Sequence, residues 1–288
     1  MTRPPAWLAE ALVVDYTLLL PLRAAERRFG WVAPEFAPVL GRFPEVFACE
    51  PERIALAETL VTAEARTHAV ARALEVLRAE GLVTGWRDEQ YEVYAEASGE
   101  PLFRIERAAV KRFGIRGRAA HLNGIVQTGK GLAMWIARRA HDKATDPGKL
   151  DNLVGGGIAA GHDAWQTLIK EGREEAGIPF FVAEGARLRD TLAFDYRVPD
   201  GLDSNEVEVF DLVLPSGFVP RNEDGEVAGF ELVEFDEVRE RLAMPHLFTV
   251  DAALVAWNCL QRWDGAAATG GTPVRRFSTR RRLGPTPG

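Results

Sequence analysis

Cysteine is nearly absent from this chain. Cys49 and Cys259 are its two cysteines in 288 residues, far apart and without the paired spacing of a metal knuckle. That excludes a disulfide-built scaffold and a Cys-x-x-Cys zinc module, and it reads as two thiols in a reducing cytoplasm. Long apolar runs are missing too, since no stretch approaches the roughly 20 residues needed to span a bilayer. The apolar segment Ala11 to Leu22 is interrupted by Asp15 and lacks the basic flank and cleavage site of a signal peptide, so it reads as a core element. Neither His121 nor His162 has a second histidine at ligand spacing, which makes structural histidines of both. No internal repeat is present. Beyond Asp264 there is no acid but five arginines, Arg275, Arg276, Arg280, Arg281 and Arg282; taking these from the net charge of −7 leaves −12 on the rest. A body that acidic is not a nucleic-acid binder, and residues 266–288, rich in Gly, Pro, Thr and Arg, read as a disordered basic tail.

With 47% hydrophobic and 27% charged residues, the chain can bury a full core and is long enough for one large or two moderate domains. Residues 1–116 read as a small α+β unit: a strand and turn at Phe29-Gly30-Trp31-Val32, a helix-like Ala33 to Gly41, and a clear helix from Thr62 to Ala79 stopped by Gly81. Tyr91 to Ala95 alternates like a half-buried strand, and Pro101 to Arg107 leads into a loop. Residues 117–265 form a second unit. His121 to Val126 and Leu132 to Ala137 flank a Thr128-Gly129-Lys130-Gly131 hairpin turn; Arg187 to Asp195, Glu206 to Leu214 and Gly229 to Phe235 are further strands, and Val250 to Trp263 is a final helix.

The most informative segment lies between Gly156 and Ile178. A glycine loop, Gly156-Gly157-Ile158-Ala159-Ala160-Gly161-His162, runs into a helix with Asp163 as its N-cap and Gly177 just beyond its last turn. Trp165, Leu168, Ile169, Gly172 and Ala176 recur at helical spacing as a buried stripe. Glu171, Glu174 and Glu175 stand at i, i+3 and i+4, so three carboxylates leave the helix within reach of one ion. Crowding like charges is costly unless a cation sits among them, and hard oxygen donors suit Mg²⁺ or Mn²⁺.

This pattern resembles the Nudix box, in which Gly, five residues, Glu and seven residues precede Arg-Glu-apolar-x-Glu-Glu-x-Gly-apolar. Gly156, Glu171, Glu174, Glu175, Gly177 and Ile178 match in register, while His162, Lys170 and Gly172 depart from it. Outside the box, His121-Leu122-Asn123-Gly124, Trp135 to Arg139, Asp146 to Asp151 and Phe218 to Val227 resemble a Nudix branch with an added N-terminal domain. That branch includes the Nudix portions linked to thiamine pyrophosphokinases, and its members commonly carry Lys at the box Arg and lack the first Glu. The resemblance spans roughly residues 15 to 265. It implies an α/β fold, a Nudix α/β/α sandwich with a mixed sheet, preceded by a small α+β domain that shapes the substrate site or forms a homodimer.

The same resemblance implies a metal-dependent hydrolase of a small-molecule diphosphate, acting on oxidised or damaged thiamine diphosphate to give the monophosphate and orthophosphate, without nucleic acid or membrane. Glu171, Glu174 and Glu175, with the carbonyl of Gly156, would hold Mg²⁺ or Mn²⁺, and Glu226 in the later loop would serve as ligand or general base. Arg138, Arg139 and Lys149 are the candidate phosphate-binding cations, and Trp31, Trp86 and Trp135 the aromatics available to stack on a ring. A Nudix pyrophosphatase of nucleotide sugars or dinucleotides, and a ligand-sensing Nudix fold without catalysis, are the alternatives.

Overall fold

A computed structural model describes residues 3–95 and 99–267; the expected basic tail lies, from residue 268 on, outside the described residues. The chain opens with a short helix, α1 (Ala6–Ala11), and then builds a four-stranded sheet from β1 (Leu20–Ala24), β2 (Arg27–Val32), β3 (Phe47–Glu50) and β4 (Arg53–Leu56). The order is β2-β1-β4-β3, with β1 and β4 parallel. A one-turn helix, α2 (Ala37–Leu40), lies between β2 and β3. Next comes α3 (Ala63–Ala79), where periodicity predicts it: Thr62 caps the Ala65 N–H, and Ala69, Val70, Ala73, Leu74 and Leu77 form its buried stripe.

Two strands follow, β5 (Gln90–Val93) and β6 (Phe103–Glu106), paired antiparallel. The segment expected to lead into a loop, Pro101 to Arg107, thus carries a strand of its own. Phe103 and Ile105 bury in the same core as α3, and cross-strand pairing with β5 adds to that gain.

A second sheet begins with the long hairpin of β7 (Arg116–Thr128) and β8 (Gly131–Arg139), turning where expected. Short strands β9 (Leu150–Asp151) and β10 (Val154–Gly157) pair with β8 and β7, and the hairpin of β11 (Arg187–Val198) and β12 (Gly201–Val213) joins through β12 parallel to β7. With β13 (Val227–Glu234) on β8, the mixed sheet runs β11-β12-β7-β8-β13. Here the start of the glycine loop is corrected to a strand, because Gly155, Gly156 and Gly157 pair with His121, Ala120 and Ala119 of β7. Glycines inside a strand mark places where other groups come close.

Helices α4 (Ala164–Ala176) and α5 (Phe180–Ala183) cover one face, and α6 (Phe235–Leu242) and α7 (Val250–Ala267) the other. Alternation along β7 serves both layers: Leu122 enters the α4 core and Ile125 the α7 core. The result is an α/β/α sandwich behind a separate β-rich N-terminal unit. Helix α1 belongs to the sandwich, since Leu8 and Leu12 bury in the α7 core and the Trp7 indole donates to the Leu242 carbonyl at 2.8 Å.

Candidate active site

Helix α4 starts with a capping box, in which Asp163 accepts from the Gln166 N–H and the Gln166 side chain accepts from the Asp163 N–H. It ends at Gly177, whose φ of 62° closes the helix in the left-handed conformation that glycine adopts cheaply. Its buried side differs from the expected stripe: Ala164, Thr167 and Glu175 join it, and Ile169 is only partly buried. Trp165 is 36% exposed and leans on Phe210, while Glu175 is only 6% exposed.

That burial makes Glu175 the unusual member of the glutamate set. Its carboxylate accepts the Gly155 N–H at 3.1 Å and has Lys143 Nζ at 4.0 Å. Burial pushes its pKa up to about 8, against the pull of the Gly155 N–H and Lys143 and with Asp151 and Glu171 adding to it. Glu171 and Glu174 share Lys170, whose Nζ is 2.9 Å from each, and these bonds raise the lysine's pKa. The loop carrying Glu226 is fastened to the end of α4: the Glu223 N–H donates to the Glu174 carbonyl at 2.9 Å and the Arg221 N–H to the Ala176 carbonyl at 3.1 Å. Glu226 itself pairs with Lys143. Burial would raise its pKa, but Lys143, with Arg87 and Arg107, holds it below the ordinary carboxylate value.

The fold therefore brings Glu171, Glu174, Glu175, Glu226 and Gly156 into one neighbourhood, with two lysines among the carboxylates. No three of the acids converge on a single point as they stand, among the described residues. The donor set nevertheless suits a hard dication: a carboxylate this buried, balanced by one N–H and a lysine at 4.0 Å, is stabilised as an anion by a neighbouring cation.

Each glycine of β10 makes room for a different side chain. A Cβ on Gly155 would lie 3.0 Å from the His121 ring, on Gly156 2.5 Å from Glu171 Cγ, and on Gly157 1.6 Å from the Tyr91 hydroxyl. The third contact joins the two domains. Gly157→Ala should cost about 1–3 kcal/mol, the usual range for overpacking, and that cost should vanish in a Tyr91→Ala background when both are measured by urea denaturation as a double-mutant cycle.

Other candidates fall elsewhere. Arg138 donates to the Gly148 carbonyl, Arg139 pairs with Asp151 at 2.8 Å and with the carbonyls of Thr145 and Asp146, and Lys149 pairs with Asp146 at 2.6 Å. These cations are engaged in ordering the connection from β8 to β9 rather than with the glutamates. His121 bonds Asn152, and His162 is exposed. Trp135 is core, Trp86 bonds Asp88 under the Arg78 guanidinium, and Trp31 lines an interdomain cleft of about 500 Å³ with Tyr94, Arg116, Arg118, Asp195 and Glu206. Lys143 was missed by the sequence reading. It stands outside the box at no motif spacing, and only the fold carries it between Glu175 and Glu226.

Comparison with known proteins places this architecture. Residues 118–253 match the NUDIX domain model and residues 13–117 a model described as a domain of unknown function, DUF4743. Nudix hydrolase 20, chloroplastic, from Arabidopsis thaliana is 32% identical over 252 residues, covering 84% of this chain and 67% of that protein. The chain belongs to the Nudix hydrolase family. Nudix hydrolase 24, chloroplastic, from the same plant is 33% identical over 245 residues with the same coverage of each chain. Among solved structures, DR0079 from Deinococcus radiodurans is 20% identical, covering 59% of this chain and 99% of that one with a TM-score of 0.47. Nudix enzymes generally use divalent metals, and this Nudix protein is a diphosphate hydrolase. No helix among the described residues is long and apolar enough to cross a membrane.

Proposed function

We propose that this enzyme hydrolyses the diphosphate of an oxidised or damaged thiamine diphosphate to the monophosphate and orthophosphate. The observation carrying the chemistry is the gathering of Glu171, Glu174, Glu175 and Glu226 at one end of α4 beside Gly156. The substrate rests on the segments outside the box that resemble the thiamine-linked Nudix branch. We assign Glu171, Glu174, Glu175 and the Gly156 carbonyl as holders of Mg²⁺ or Mn²⁺. The dication, when bound, neutralises phosphate oxygens and acidifies water.

In the reaction, the oxygen of water bonds to one phosphorus as the bridging P–O bond breaks, and the electron pair of that bond leaves with the other phosphate. Glu226, kept ionised by Lys143, accepts the proton or serves as a further ligand. Packing of α4 keeps the carboxylates in place, which limits the reorganisation that charge development would otherwise require. The two cysteines are unpaired thiols, in keeping with a cytoplasmic setting as part of this proposal.

The test is orthophosphate release with Mg²⁺ from oxothiamine and oxythiamine diphosphates, compared with ADP-ribose, NADH, coenzyme A and nucleoside triphosphates. The thiamine compounds should give the highest kcat/KM. Turnover of nucleotides alone would sink the thiamine assignment, and ligand binding without turnover of any compound would favour a sensing role.

A further inference from the structure

We propose that the N-terminal domain supplies part of the substrate site, with Arg107 and, beside it, Arg87 binding the diphosphate oxygens left uncovered by the carboxylate-held dication. This rests on the diphosphate-hydrolase reading above. The first support is where the β5–β6 hairpin is docked. The Gln90 carbonyl accepts the Ala160 N–H at 2.8 Å, which ties β5 to the loop between β10 and α4. One strand residue further on, the buried Tyr91 hydroxyl occupies the space that a side chain on Gly157 would take, and its neighbour Gly156 gives the same room to Glu171. Neighbouring strand residues point to opposite faces, so Tyr91 and Glu171 pack on the two sides of β10, and the N-terminal domain meets the same short strand that makes room for a box glutamate.

Arg107 follows from that docking. Its N–H donates to the Glu89 carbonyl at 2.8 Å, and its guanidinium lies 5.7 Å from the Tyr91 ring centroid. A pair with Glu89 at 2.7 Å engages one end of the fork. The side chain stays 45% exposed, and a guanidinium carries five donors, so several remain for a ligand. Arg87 is placed by its N–H, which donates to Glu106 at 2.9 Å, leaving its side chain exposed.

The charge requirement of the substrate gives the second support. A diphosphate in a strongly acidic protein needs cations besides the metal. Lys143 and Lys170 are paired directly with the glutamates, and Arg138, Arg139 and Lys149 with the β8–β9 connection. A forked guanidinium also suits phosphate oxygens better than an ammonium does.

The experiment uses the full chain. Arg107→Gln should raise KM for oxothiamine diphosphate, and weaken binding of methylenediphosphonate measured by calorimetry with Mg²⁺, by about tenfold, the loss of one charge-assisted contact. Its kcat should stay within about threefold, since uniform binding is what is removed. Arg87→Gln should show a smaller change in the same direction. Glu89→Gln breaks the ion pair but keeps the cation, and it should leave both constants within about twofold. Unchanged KM and methylenediphosphonate affinity in both arginine variants, or an equal loss in Glu89→Gln, would overturn the proposal. Methylenediphosphonate binding needs no turnover. An inactive wild type whose binding is weakened by Arg107→Gln would therefore sink the hydrolase reading while keeping this site.

Discussion

Glu175→Gln should lower kcat by about 10²- to 10³-fold, the scale seen when one preorganised electrostatic contributor is removed, while the protein stays folded. The substitution is isosteric, and the amide oxygen can still accept the Gly155 N–H. It also removes the need to bury a charge, so metal-free stability at neutral pH should hold or improve. The pH dependence follows from the same carboxylate. Its folded pKa of about 8 stands above the ordinary glutamate value of 4.5, so between these values the folded protein binds the extra proton. Metal-free stability should be highest below the lower value, fall as pH rises and level off above about 8. Metal must displace that proton, so Mg²⁺ affinity should climb over the same interval. Calorimetric titration with Mg²⁺ at pH 6 and pH 8 checks this, and Glu175→Gln should flatten both trends. Near-normal turnover in the variant would remove Glu175 from the catalytic set.

Helix α4 was legible because its signals are local. Asp163 and Gly177 mark its ends, and the spacing of the three glutamates puts them on adjoining parts of one surface. What spacing cannot supply is how that surface is divided between core and solvent. The glutamates lie across the boundary, so Glu175 turns in and Glu174 stays half-exposed, while Trp165 finds Phe210 at the outer edge. Helix α6 escaped notice although acids in its first turn and arginines in its last are ordinary helix signals, because Phe235 read as the end of a strand. The glycines of β10 looked like a loop for a sound reason: glycine is poor in strands unless another group needs the space. The groups that need it, His121, Glu171 and Tyr91, come from three separate parts of the chain. Only the fold brings them together, and for the same reason no motif could have revealed Lys143 as a neighbour of the box.

Asp211→Ala should cost about 3–5 kcal/mol of stability, the range for breaking a buried charge pair from one side. Asp211 is 2% exposed on β12, under α7. One carboxylate oxygen accepts from Arg262 at 2.7 Å and from Asn123 at 3.0 Å, and the other from the Trp263 indole at 3.2 Å, with Arg189 at 3.7 Å. Alanine would leave the Arg262 guanidinium, which is 12% exposed, without its carboxylate, and the Asn123 amide and Trp263 indole without this acceptor. The effect extends inward, because Asn123 also accepts from Asn152 at 3.4 Å, and Asn152 is bonded to His121 at 2.7 Å. His121 packs on Gly155, whose N–H holds Glu175. A polar chain thus connects the α7 layer to the backbone that positions the buried glutamate. Urea denaturation should show a lower midpoint with an unchanged m-value. Asp211→Asn should lose less, since the amide oxygen keeps one acceptor while the charge is gone. A cost below about 1 kcal/mol for Asp211→Ala would mean that Arg262 reaches solvent without Asp211 and that α7 is held by its apolar face alone.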